Sequence, residues 1–148
     1  MKGLLIDTTI FLKKQLQRFI NEEFKEYNLK SAEILFMQIL FQKGEKSQIE
    51  ITRLFDCDKA HTHRIVTKLI EKKLVYYIDN EHEHIKNQKL ALTPEGKQIS
   101  TKSNNFLKIW NSKLVEGIDE KDLVVAREVI RKIIDNANKI KNLKDNGE

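Results

Sequence analysis

SQIEITRLFDCDKAHTHRIVTKLIEKKLV, residues Ser47–Val75, is the stretch whose reading decides the fold. Ser47 followed three residues later by Glu50 is a capping box, so a short helix starts at Ser47 and carries Ile49, Ile51, Leu54 and Phe55 inward or near it. The run DCD breaks that helix, and Asp58 caps a second one that extends to about Lys73. At about 100° per residue, Thr62, Ile65, Val66 and Leu69 fall together on the second helix, with Ile70 at the margin. Ala60, His63, Arg64, Thr67 and Lys68 fall on the opposite side. Two short helices joined by a tight turn form a helix-turn-helix, whose second helix lies in the major groove of DNA. Its outward face needs small and hydrogen-bonding groups for base edges and cations for phosphates, and this face has both. Ala60 can touch a thymine methyl, and Arg64 can pair bidentately with guanine O6 and N7. Thr67 and Lys68 come a turn later, where a phosphate is the natural partner. His61 and His63 sit beside them, and Gln48 at the start of the first helix can donate to a phosphate. The alternative is the ordinary solvated side of an amphipathic helix, against which the surrounding elements weigh.

Working outward, Leu5, Leu12, Leu16, Phe19, Ile20 and Phe24 recur at helical spacing, predicting a long helix from Leu4 to about Tyr27. A second helix begins near Ser31, read as its N-cap, runs through AEILFMQILFQ and stops at Gly44. After Lys73 the period changes to strand-like runs, LVYYI and KLALT, separated by DNEHEHIKNQ; this is a two-stranded hairpin with a long polar tip, a wing. Thr93, Pro94 and Glu95 supply a cap, a first-turn proline and a first-turn acid for a further helix striped with Ile99, Phe106, Ile109, Trp110 and Leu114. A final helix after Asp119 uses Leu123, Val125, Val129, Ile130, Ile133, Ile134 and Ala137. The expected fold is mainly α with a small β-hairpin: a winged helix-turn-helix with long terminal dimerisation helices. The 148 residues form one domain, with 31–93 as the winged helix-turn-helix lobe and 1–30 and 94–140 as association helices. Apolar stripes on long, charged helices are most simply buried against a second copy, giving a homodimer. The competing expectation is that they close on their own chain.

Composition agrees. Apolar residues are 40% and charged residues 33%, with only 5 Gly and 1 Pro, which favours helix over a sandwich. Mean hydropathy is −0.52. Lys plus Arg number 27 against 22 Asp plus Glu, so the net charge of +5 makes an anionic partner plausible. The run LLIDTTIFL, interrupted by Asp7, Thr8 and Thr9, does not read as a signal peptide. Nothing approaches the ~20 apolar residues of a membrane span. A single cysteine fits a reducing compartment, and the expectation is a cytoplasmic protein without membrane contact.

From Ser47 to Gly96, with LALTPEG closely following the wing, the chain resembles the MarR family of bacterial transcriptional regulators, in which a leucine-threonine-x-x-glycine signature stands at that place. The flanking helices match that layout over nearly the whole chain. The resemblance implies a homodimer with interleaved terminal helices that binds a pseudo-palindromic operator in double-stranded DNA, usually as a repressor, and is released by a small ligand, a metal or an oxidant. In the wing the family carries an acid and one or two arginines. Here those positions are His84, Ile85 and Lys86, so only Lys86 preserves a cation, and Asp79, Glu81 and Glu83 make the tip acidic. Lys73 stands where the family has a glycine, followed by Tyr76 and Tyr77 in the neighbourhood of its usual arginine. The acidic wing also fits an alternative, a winged-helix protein-interaction module without specific DNA binding.

Cys57 lies in the turn between the two DNA-binding helices; the amino end of the second helix favours its thiolate, while Asp56 and Asp58 on either side oppose it, and a structural or incidental thiol is favoured over an oxidant sensor. His82 and His84, two apart on a strand, could share a metal, as could Cys57 and His61 at a spacing of four, but neither is a strong ligand pattern and no metal or cofactor is assigned. No phosphate-cradling glycine loop, paired catalytic acids or nucleophile with a base is present, so the chain does not read as an enzyme.

Overall fold

The computed structural model describes residues 3–55, 57–78, 84, 85 and 87–145. The chain falls into two compact units, residues 1–106 and 107–148.

In the first unit, α1 (Leu4–Glu23) ends in a 3-10 turn, Lys25–Tyr27, where a single helix to Tyr27 was expected. Asn28, with φ 51°, turns the chain in the left-handed region toward α2 (Ser31–Lys43). Lys30, not Ser31, is the N-cap; the carboxylate of Glu33 accepts from Lys30 N at 2.5 Å, and Asn21 Oδ1 accepts from Ser31 N at 2.8 Å. The cap is thus completed from α1, which a local reading of Ser31 could not foresee. α2 buries Ile34, Phe36, Met37, Gln38 and Leu40, so it is the helix around which the unit is built. Gly44 ends it at φ 73° and ψ −164°, a backbone region essentially restricted to glycine and different from the left-handed helical stop expected.

β1 (Lys46–Ser47) leads into α3 (Gln48–Phe55), and α4 (Lys59–Glu71) leads into β2 (Val75–Tyr77), which pairs with β3 (Lys89–Leu92). The sheet is antiparallel with three strands, in the order β1-β3-β2. The expected hairpin is present with Tyr76 opposite Ala91, and β1 adds a strand with Lys46 opposite Leu90. Two residues are too few to show an alternating pattern, so β1 exists because β3 has an open edge beside it.

The turn from α4 to β2 is closed by Lys73 N donating to Ile70 O (2.8 Å) and Leu74 N to Leu69 O (2.9 Å). This is the Schellman arrangement, and Lys73 takes its left-handed position at φ 57°, the conformation that glycine adopts most readily. Thr93 then caps α5 (Pro94–Leu114) through Gly96 N to Thr93 Oγ1 at 3.1 Å. Within the unit, Ile20, Phe24, Leu29, Ile51, Val66, Leu69, Val75, Leu90 and Leu92 join the α2 side chains in one core. Gln38 links α2 to α5 by donating to Ser100 O at 2.7 Å and to Ser103 Oγ. Of the stripe predicted on α1, Ile20 and Phe24 enter this core, while Leu5, Leu12 and Phe19 are exposed. So are Ile6, Ile10 and Phe11.

The second unit holds the end of α5 and α6 (Glu120–Asp145), which begins after Asp119 as expected. Its Val125, Val129, Ile130, Ile133 and Ile134 are all exposed. No helix among the described residues is long and apolar enough to cross a membrane.

Candidate nucleic-acid interface

The two-helix element is built from local signals that the backbone obeys. Ser47 N donates to Glu50 Oε2 (2.7 Å), and Glu50 N donates to Ser47 Oγ (3.2 Å), the reciprocal capping box expected at α3. The bond from Ser47 N holds the Glu50 carboxyl below the usual carboxylate range. Asp58 caps α4 by accepting from His61 N at 2.7 Å. Between the helices, Thr62 is buried yet satisfied: its hydroxyl accepts from Thr52 Oγ1 (3.0 Å), donates to Asp58 O (3.2 Å) and lies 3.1 Å from Cys57 Sγ. This polar contact fixes the elbow that apolar packing alone would leave free to slide.

On α4 the buried residues are Thr62, Ile65, Val66 and Leu69, the set predicted from periodicity. Ala60, His63, Arg64 and Thr67 are exposed on the other side. Their common face continues into a hollow of about 390 Å³ between α3 and the start of α4, lined by Gln48, Ile49, Thr52, Lys59, Ala60 and His63. Lys59 was not singled out from the sequence, although a cation directly after a helix cap, beside the small Ala60, was the signal available.

Three expected site residues lie elsewhere than the outward face implied. Lys68 is half-buried, with Nζ 2.8 Å from Glu33 Oε1, because its long side chain reaches back over α2. Gln48 is buried and donates to the Tyr77 hydroxyl; burial raises the Tyr77 pKa, and the bond from Gln48 offsets part of that rise. Its amide therefore joins α3 to the sheet and is not free to meet a phosphate. His61 is half-buried and shares a cavity of about 70 Å³ with Cys57, Phe36 and Phe55. Of the residues expected inward or near that face, Ile51 is fully buried, while Leu54 and Phe55 are exposed.

The wing residues Asp79, Glu81, His82, Glu83 and Lys86, and Asp56 in the turn, lie outside the described residues. His84 is exposed. Among the described residues no three His, Cys, Asp or Glu side chains converge in a way that could hold a metal ion.

No protein-family model matches the chain, nor does any curated protein. Solved structures do. A SlyA-like transcription regulator from Listeria monocytogenes superposes with a TM-score of 0.87 at 20% identity, over 100% of this chain and 97% of that one. A MarR-family transcriptional regulator from the same organism, complexed with 26-mer DNA, gives 0.86 at 20% identity over the same shares. The fold is that of the MarR and SlyA regulators. MarR of Staphylococcus aureus in complex with salicylate and kanamycin gives 0.82 at 16% identity, covering 93% of each chain. In this MarR fold α3 and α4 are the helix-turn-helix, and β2 and β3 flank the wing.

The signature glycine acquires a physical reason. A Cβ on Gly96 would stand 2.1 Å from Leu74 O, so only glycine allows the first turn of α5 to press against the residue that leads into β2. Leu74 O also accepts from Thr93 N at 3.0 Å.

Proposed function

We propose that the protein is a sequence-specific DNA-binding transcription regulator, a repressor that binds a pseudo-palindromic operator as a homodimer and is released by a small ligand. The observation that carries this reading is the exposed face of α4, where Ala60, His63, Arg64 and Thr67 stand clear of an apolar face that is fully used in packing. Such a face, capped at its amino end and joined to α3 by a three-residue turn, offers base-reading groups in the half of the helix that enters a major groove. Arg64 reads guanine, Ala60 a thymine methyl, and Lys59 with Thr67 the flanking phosphates. Lys86 is assigned to the wing contact. The likeness in fold to a regulator solved on DNA supports the same reading.

The homodimer follows from the apolar side chains left open on α1 and α6, which a second copy would cover. Residues 31–93 are then the DNA-binding lobe, and 1–30 with 94–140 the association helices. The reading requires no enzymatic step, cofactor or metal, and it places the protein with the chromosome in the cytoplasm.

The test is selection of random duplex DNA by the purified protein at physiological salt, with sequencing of the retained fraction. An enriched inverted repeat with half-sites about 10 base pairs apart is expected. Retention without enrichment would instead favour a winged-helix module that docks on protein.

A further inference from the structure

Lys68 on α4 and Lys72, the C-cap that continues its helical backbone, stand four residues apart and so project from the same side. Lys68 Nζ is 2.8 Å from Glu33 Oε1, and Lys72 Nζ donates to Tyr27 O at 3.1 Å. Both partners belong to the corner between α1 and α2. That corner is itself tied down: Asn21 Oδ1 accepts from Ser31 N, and Phe24 is fully buried. Lys102 of α5 pairs with Glu26 at 2.8 Å and lies 5.1 Å from the centroid of the Tyr27 ring.

Glu33 performs two tasks with one carboxylate, since Oε2 caps α2 through Lys30 N while Oε1 holds Lys68. Its side chain is only 9% exposed, against 34% for Lys68. If Lys68 left for a phosphate, Glu33 would remain buried without its cation, a strongly unfavourable state. The pair is therefore a poor reserve of DNA-binding charge and a good mechanical tie.

We propose that Glu33, through Lys68 and with Lys72 beside it, is a positioning residue that fixes the pitch of α4 against the α1–α2 corner and so sets the half-site spacing the dimer accepts. The second part rests on the DNA-reading function proposed above. From Lys68 to Lys59 the helix is about 14 Å long, so a tilt of about 15° about the tie carries its amino end about 3.5 Å. That is close to the ~3.4 Å rise of one base pair. A slack tie thus blurs the spacing by one step.

Glu33→Gln and Lys68→Met are compared with Lys68→Arg, which keeps a cation opposite Glu33. The first readout needs no DNA: spin labels at Lys59→Cys and Gln42→Cys, with Cys57→Ser, in a chain diluted with unlabelled protein. The interlabel distance distribution broadens in Glu33→Gln and Lys68→Met and stays narrow in Lys68→Arg; equal widths in all three overturn the proposal. The second readout is binding to inverted repeats whose spacing varies by one base pair at a time. The wild type and Lys68→Arg hold one preferred spacing. The other two variants lose about tenfold there, accept neighbouring spacings, and change by less than about twofold on random duplex. Tighter binding by Glu33→Gln, together with equal losses by Lys68→Met on every duplex, would make Lys68 a phosphate contact and overturn the proposal. If the wild type selects no operator while the label distances behave as stated, the DNA-reading function fails and the positioning role of Glu33 stands.

Discussion

Replacing Gly96 by alanine tests how the first turn of α5 is locked against the turn that leads into β2. The added Cβ would lie 2.1 Å from Leu74 O and 3.1 Å from Leu74 C. Carbon meets a carbonyl oxygen comfortably only at about 3.3 Å, so the first turn of α5 must retreat by about 1 Å. The Thr93 N to Leu74 O bond, now 3.0 Å, is then stretched past useful length at a loss of about 1 kcal/mol. Displaced packing around the buried Leu92 and Ile99 adds about 1–3 kcal/mol. Alanine returns about 1 kcal/mol through helix propensity. The net loss of about 2 kcal/mol corresponds to a fall of about 4–8 °C in Tm for a chain of this size. Thermal denaturation followed by circular dichroism at one fixed protein concentration measures it, because any self-association would make stability depend on concentration. An unchanged or raised Tm, the result of propensity acting alone, would refute the close-approach argument.

Arg64→Ala lowers affinity for the selected operator by about 1–3 kcal/mol and changes binding to random duplex little; equal losses on both would reduce Arg64 to a phosphate contact. Asp58→Ala removes the bond from His61 N and destabilises the fold by about 1 kcal/mol, read as a shifted urea midpoint with an unchanged slope. Glu50 has a folded-state pKa depressed below 4.5 by the bond from Ser47 N, so its contribution is present above pH 4.5 and lost as pH falls through the depressed value. Glu50→Gln therefore flattens part of the acid limb of the stability profile below pH 4.5, and an identical limb in both proteins would contradict this.

The elements most legible in the sequence are those that local chemistry dictates. The capping pair Ser47 and Glu50, the cap Asp58 and the Thr93-Pro94 start of α5 follow from interactions within four residues along the chain, and the buried set Thr62, Ile65, Val66 and Leu69 follows from the helical period. Their partners are fixed by the geometry of a helix, so spacing alone specifies them. The same logic placed Ala60, His63, Arg64 and Thr67 on the exposed side of α4.

What tertiary structure decided are the contacts between residues distant in sequence. Lys68 has the angular position of an outward residue, yet its flexible stem carries its charge to Glu33, 35 positions earlier. Gln48 turns to Tyr77, and the cap of α2 is completed by Asn21 rather than by Ser31. β1 needs the open edge of β3, and Gly96 needs the carbonyl of Leu74. A helical period determines which way a Cβ points, and so the sequence determined the elements and their faces. Where a long or polar side chain ends depends on which partner the folded chain brings within reach, and that was settled only when α1, α2, α4 and the sheet came together.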